Sequence, residues 1–96
     1  MFIAVLEYIK PVDEVDKHLE AHREYLRDNY QKGLFIASGR RNPRTGGVIL
    51  ARGESKDSVE QLLKQDPFYV NQVAQFQLVE FSPTMTGEGF EALLNC

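Results

Sequence analysis

Apolar residues cluster in four short stretches of this chain and recur at helical spacing in two longer ones. Phe2–Ile9, rich in β-branched and aromatic residues, predicts a first strand. Pro11 stops it, and Asp13 is placed to cap a helix running to about Gln31, with Val15, Leu19, Leu26 and Tyr30 as its apolar stripe. Gly33 stands where a left-handed residue closes a helix. Leu34–Ser38 and Gly47–Arg52 predict two more strands, separated by Gly39–Gly46, a stretch too long and too rich in Gly and Pro for a tight hairpin. Ser55 caps a second helix through Gln65 with Val59, Leu62 and Leu63 on its apolar face. Asp66-Pro67 ends it, because proline drives its predecessor out of the helical region. Gln75–Phe81 predicts a fourth strand, and the segment from Gly87 a last short helix.

The order β-α-β-β-α-β predicts an α+β fold of ferredoxin-like type, with a four-stranded antiparallel sheet and both helices on one face. One domain over residues 1–96 accounts for the whole pattern. Strand 1 directs Phe2, Ala4, Leu6 and Tyr8 one way and Ile3, Val5 and Ile9 the other. Strand 2 sets Leu34 and Ile36 against Phe35 and Ala37, and strand 3 sets Val48 and Leu50 against Ile49 and Ala51. A sheet apolar on both faces needs cover on both, and two helices cover one. A second copy of the chain packed sheet to sheet supplies the other, which predicts a homodimer. The tail, residues 83–96, either folds over that face or packs on the partner subunit.

Composition narrows the function classes. With 43% hydrophobic and 26% charged residues the chain is an ordinary globular one and not a disordered one. A net charge of −3 has the wrong sign for general binding to nucleic acid or an acidic membrane. No apolar run approaches the ~20 residues that span a bilayer. The apolar N-terminal stretch lacks a preceding basic segment and contains Glu7, so no signal peptide is expected and the cytoplasm is the expected compartment. Cys96, the one cysteine, can form no intrachain disulfide.

His22 falls in the middle of the first helix's apolar stripe, where the pattern asks for leucine. It is either a satisfied core imidazole or a general acid/base in an apolar pocket. His18, one turn earlier, lies toward the edge of the stripe and reads as a surface residue. The H-x-x-x-H spacing lacks a third ligand, so no metal is expected. The topology brings Asp66, Ser38, the Arg40–Gly47 loop and the histidines to one end of the sheet. A carboxylate beside an imidazole fixes its tautomer and stabilises its protonated form. Asp66 also has a purely structural reading as the N-cap of Pro67-Phe68-Tyr69, compatible with the other because a carboxylate has two oxygens. Arg40, Arg41 and Arg44 are either a solvated loop or a clamp for a carboxylate or phosphate. No nucleophile elbow, phosphate loop, dinucleotide fingerprint or cysteine box is present, and no cofactor is expected.

The run His18-Leu19-Glu20-Ala21-His22-Arg23-Glu24-Tyr25-Leu26 is followed by Gly33-Leu34-Phe35-Ile36-Ala37-Ser38-Gly39. Then come Asn42-Pro43-Arg44-Thr45-Gly46-Gly47-Val48 and Asp66-Pro67-Phe68. Together these resemble a YciI-like protein (YCII-related domain) of the dimeric α+β barrel superfamily. The resemblance implies a homodimer with a pocket in each subunit around a His-Asp pair, here His22 and Asp66. It also implies a small-molecule enzyme, since a related domain is a dehydrochlorinase acting on a hydroxylated aromatic. Two departures stand out: Arg40 follows Ser38-Gly39 where many members have proline, and Leu19 stands three before His22 where some have arginine.

These readings combine into a lyase or isomerase with His22 as acid/base, Asp66 as its orienter and Arg44 as anion clamp. Ser38 and the Gly39 backbone supply hydrogen bonds to an oxygen of the ligand, Gly47 is a further ligand-binding residue, and the expected ligand is a small anionic or aromatic metabolite. The alternatives are a non-catalytic metabolite-binding or accessory module using the same pocket, and an interaction protein whose pocket is vestigial.

Overall fold

Four strands form in the computed structural model, which describes residues 1–96 apart from the Asn95 side chain: β1 (Phe2–Tyr8), β2 (Phe35–Arg40), β3 (Gly46–Ala51) and β4 (Ala74–Glu80). They make one antiparallel sheet in the order β2-β3-β1-β4. Four helices accompany it: α1 (Val12–Asp16), α2 (Leu19–Gln31), α3 (Lys56–Leu63) and α4 (Pro67–Val70). A 3-10 turn follows at Glu91–Asn95. No described helix is long and apolar enough to cross a membrane.

Helices α2 and α3 cover the same face of the sheet. Phe2, Ala4 and Leu6 of β1, Phe35 of β2, and Ile49 and Ala51 of β3 are buried against Val59 and Leu63, with Tyr25 and Leu26 of α2 packed on them. The expected amphipathic patterns produce this layer. Ser55 caps α3 as its sequence predicts, through a reciprocal pair of hydrogen bonds with Ser58. Gly33 adopts φ +73° at the end of α2.

Four expectations are corrected. The first helix is not continuous. It breaks at Lys17-His18, where the His18 amide bonds to the Val15 carbonyl, a tightened i−3 contact. Its start is set by Pro11 without any side-chain cap, and Asp13 lies inside the first turn beside Glu14. The hairpin loop is shorter than expected, because Gly39 and Arg40 belong to β2 and Gly46 to β3. Gly46 sits so tightly in the sheet that a Cβ there would lie 1.8 Å from the Leu6 carbonyl oxygen. The α2 stripe is also displaced: Tyr30 is 39% exposed, and the buried position beside it is Asn29 at 3%.

The fourth correction concerns the faces of β2. Phe35 pairs with Ala51 and Ala37 with Leu50, leaving Ile36 as an extra residue in a β-bulge. Phe35 and Ala37 therefore face opposite ways, although alternation puts them together. Ser38, opposite the buried Ile49, returns to the helix face. A second cluster, Val15, Phe68, Val73 and Ala74 with Tyr8 and Leu19, anchors α1 and α4 at the end of the sheet where the chemistry gathers.

Candidate active site

Asp66 stands between α3 and α4. Pro67 follows it in the first helical position, and the Asp66 side chain accepts the Phe68 amide N–H at 2.9 Å. This cap holds the carboxylate in place. The same oxygen, Oδ1, lies 2.7 Å from His22 Nδ1 on α2. Asp66 is 1% exposed, and its other oxygen, Oδ2, is buried without a hydrogen-bond partner among the described residues. A carboxylate only accepts, so the proton of the neutral imidazole sits on Nδ1 and donates to Asp66. That leaves the Nε2 lone pair free, and Nε2 makes no hydrogen bond to the described protein.

Phe68 fixes the ring from its face. Its centroid lies 3.9 Å from that of His22, with the planes 4° apart. Tyr25 flanks the imidazole at 6.5 Å and donates its hydroxyl to the Leu62 carbonyl at 2.7 Å, tying α2 to α3. Burial, and then the negative Asp66 nearby, push the Tyr25 phenol well above its ordinary value. Tyr25 therefore stays a neutral hydroxyl through the physiological range.

Beside His22 a cavity of about 240 Å³ opens between α2 and the β2–β3 hairpin. Leu19, Leu26, Ile49 and Phe68 give it apolar walls. Ser38, Gly39 and Gly47 form the hairpin side, and Arg23, Arg40 and Arg44 bring positive charge. No acidic side chain is among the lining residues.

The family model for the YCII-related domain matches residues 1–82. The chain belongs to the YCII-related domain family. Among solved structures it is similar in fold to the 5-chloro-2-hydroxyhydroquinone dehydrochlorinase of Burkholderia phenoliruptrix, solved in complex with 2,5-dihydroxybenzoquinone. The TM-score is 0.70 at 18% identity, over 84% of this chain and 93% of that one. This is the dimeric α+β barrel fold. No curated protein matches the sequence.

In this YCII-related protein the residues singled out in the sequence divide into three groups. His22 and Asp66 are in direct contact, and Asp66 is at the same time the expected N-cap. Ser38, Gly39 and Gly47 line the cavity, although the Ser38 hydroxyl already shares a 2.5 Å hydrogen bond with Tyr30. Arg44 lines it too, but its guanidinium donates to Asp16 at 2.6 Å and lies 5.6 Å from the Tyr8 ring centroid. Those contacts, the Asp16 hydrogen bond first, raise the Arg44 pKa further. His18 is not among the lining residues, and Arg41 lies on the far side of the hairpin near Glu7 and Gln75.

Phe68, Arg23 and Asp16 were not anticipated. The signal for Phe68 was present: a residue whose amide is capped by Asp66 is carried to whatever that carboxylate touches. Arg23 directly follows His22, but as the next residue on a helix it is turned ~100° away and reads as solvated. Asp16 gave no local signal, since its partner is 28 residues away.

Proposed function

We propose that this YCII-related protein is a small-molecule enzyme of the lyase or isomerase type. His22 is its general acid/base and Asp66 its orienting carboxylate. The observation that carries the reading is the 2.7 Å contact at Nδ1 together with an unpartnered Nε2 on a ring that lines the cavity. Nε2 takes a proton from an acidic C–H or O–H of the ligand. The carboxylate, with Oδ2 unpartnered, stabilises the imidazolium that forms. Returning the proton to a neighbouring atom completes an isomerisation, and loss of a leaving group with its electron pair completes an elimination. The dehydrochlorinase of the same fold supports a chemistry of this class on a small hydroxylated ring. The cavity, below the ~300 Å³ at which drug-sized sites begin, suits a ligand of about one ring.

The second subunit belongs to the proposal. Ile3, Val5, Val48 and Leu50, on the face away from the helices, are half-buried, while Val79 is 52% exposed. A second copy packed on this face supplies its missing cover.

Solvent-deuterium exchange and turnover, followed by NMR on a panel of hydroxyquinones and enolisable acids, test the site. His22→Gln and Asp66→Ala each abolish the reaction, and the double variant is little worse than either, because the two act as a unit. Asp66→Asn keeps an oxygen that accepts both the Phe68 and the His22 N–H but loses the negative charge that stabilises the imidazolium, so the reaction is expected to slow sharply while the fold is kept. Exchange unchanged in His22→Gln would overturn the assignment. Saturable binding with neither exchange nor turnover would make the pocket a metabolite-holding site.

A further inference from the structure

Three arginines line the cavity, and one carboxylate answers them. Asp16 holds Arg44 at 2.6 Å. The Asp16 carboxyl lies below its ordinary value, first through that hydrogen bond and, against slight desolvation, through the charges of Arg44, Arg40 and Arg23. Arg23 and Arg40 thus lie close enough to feel Asp16, yet neither forms an ion pair with any described residue. The chain as a whole carries −3, so this is a positive island on an acidic protein.

The backbone brings both residues, which are exposed, to the cavity. Arg40 lies opposite Gly47 in the β2–β3 ladder, two residues from Ser38, and so shares the helix face with it. Its neighbour across the ladder has no side chain, which leaves room beside the Arg40 stem. The Arg41 amide bonds to the Gly46 carbonyl at 3.0 Å and closes the hairpin directly after it. Arg23 reaches the cavity from α2, the opposite wall.

We propose that Arg23 and Arg40 form an anion site in the cavity wall, and that the ligand presented to His22 is a small carboxylate with one ring or a short apolar chain. Two guanidinium forks from facing walls match the oxygens of one carboxylate, while Leu19, Leu26 and Phe68 take the apolar part. Arg44, already engaged by Asp16, serves as wall and not as clamp. The identity of the substrate rests on the acid–base reading of His22. The anion site does not.

Amide NMR titrations with benzoate and butyrate, each compared with its neutral amide, test the site without requiring turnover. Both acids are expected to shift the Gly39 and Gly47 amides saturably, and benzamide and butyramide are not. Arg40→Gln and Arg23→Gln each weaken acid binding about tenfold, the loss expected for a charge-assisted hydrogen bond. Arg40→Lys, which keeps charge without the fork, falls between. Arg41→Gln, the same charge loss on the far side of the hairpin, binds like the parent. His22→Gln retains acid binding, so an inert His22–Asp66 pair and an absent anion site give different results. Equal shifts from acid and amide, no shift from either acid, or parental affinity in Arg40→Gln and Arg23→Gln would overturn the proposal.

Discussion

On the helix side of the sheet Phe2, Ala4, Ile49 and Ala51 are at most 2% exposed, whereas on the far side Ile3, Val5, Val48 and Leu50 are only half-buried. The two faces are built from the same residue types on the same strands. They differ in what completes them. The chain's own helices close the first, and a closed apolar layer can hold a paired imidazole and carboxylate at its end, because water is excluded and the hydrogen bond between them is made. The second contains no such pair, and an apolar surface left half-open is a surface for association. Apolar content alone therefore does not mark a core. What marks it is whether the covering layer comes from the same chain.

The largest expected effect breaks the open face. Ile3→Asp puts an unpaired charge at the centre of the proposed subunit contact and is expected to abolish the dimer at micromolar concentration, read by sedimentation. A loss of more than ~4 kcal/mol in dimer stability fits a buried, unpaired charge. A variant that remains dimeric, or a parent that sediments as a monomer, would show that this face is not the subunit contact.

On the helix side, Phe68→Ala removes both a core side chain that is 3% exposed and the ring stacked on His22. Denaturant unfolding should show a cost of about 3–5 kcal/mol. Phe68→Leu keeps most of the volume without the stack, so it separates packing from ring orientation. An Ala variant losing under ~1 kcal/mol would mean the second cluster does not anchor α4.

The smallest effect sharpens the comparison at the rim of the site. Asp16 is an aspartate whose pKa is lowered in the folded state, chiefly by the Arg44 hydrogen bond. Its contribution to stability is therefore complete above the unfolded value of about 3.9 and is lost as pH falls through the lower folded value. Parent and Asp16→Asn should differ slightly in melting temperature at neutral pH and converge in strong acid. A difference that persists in acid would assign the effect to packing and not to charge.

The order of strands and helices was readable because each element carries its own period and its own stop: Pro11, Gly33, Ser55 and Asp66-Pro67 all act at or beside an element boundary. The His22–Asp66 contact was readable for a different reason. His22 violated the apolar pattern of its helix, and the topology brought the end of α3 to that helix. What stayed hidden was either non-local or non-periodic. The Asp16–Arg44 pair joins α1 to the hairpin loop across 28 residues. The break at Lys17-His18 leaves Val15 buried and Leu19 packed on the same cluster, so the apolar spacing carries no trace of it. Asn29, buried with Oδ1 unpartnered among the described residues and Nδ2 donating to the Tyr25 carbonyl, breaks the rule that polar residues face out. The bulge at Ile36 defeated strict alternation in β2, and only that bulge accounts for Ser38 facing the cavity.

That bulge gives β2 one residue more than its partner needs, and the surplus makes the strand's tolerance of length changes one-sided. Deleting any single residue between Phe35 and Ser38 leaves a regular ladder in which Phe35 is still opposite Ala51 and Ser38 still opposite Ile49, so Ser38 and Arg40 keep the faces they now have. Adding a residue there has no such outlet: the strand must either carry a wider bulge or turn Ser38 and Arg40 onto the far face. Along a lineage of such chains, shortening of this segment should be found with an intact pocket, and lengthening with a rebuilt one.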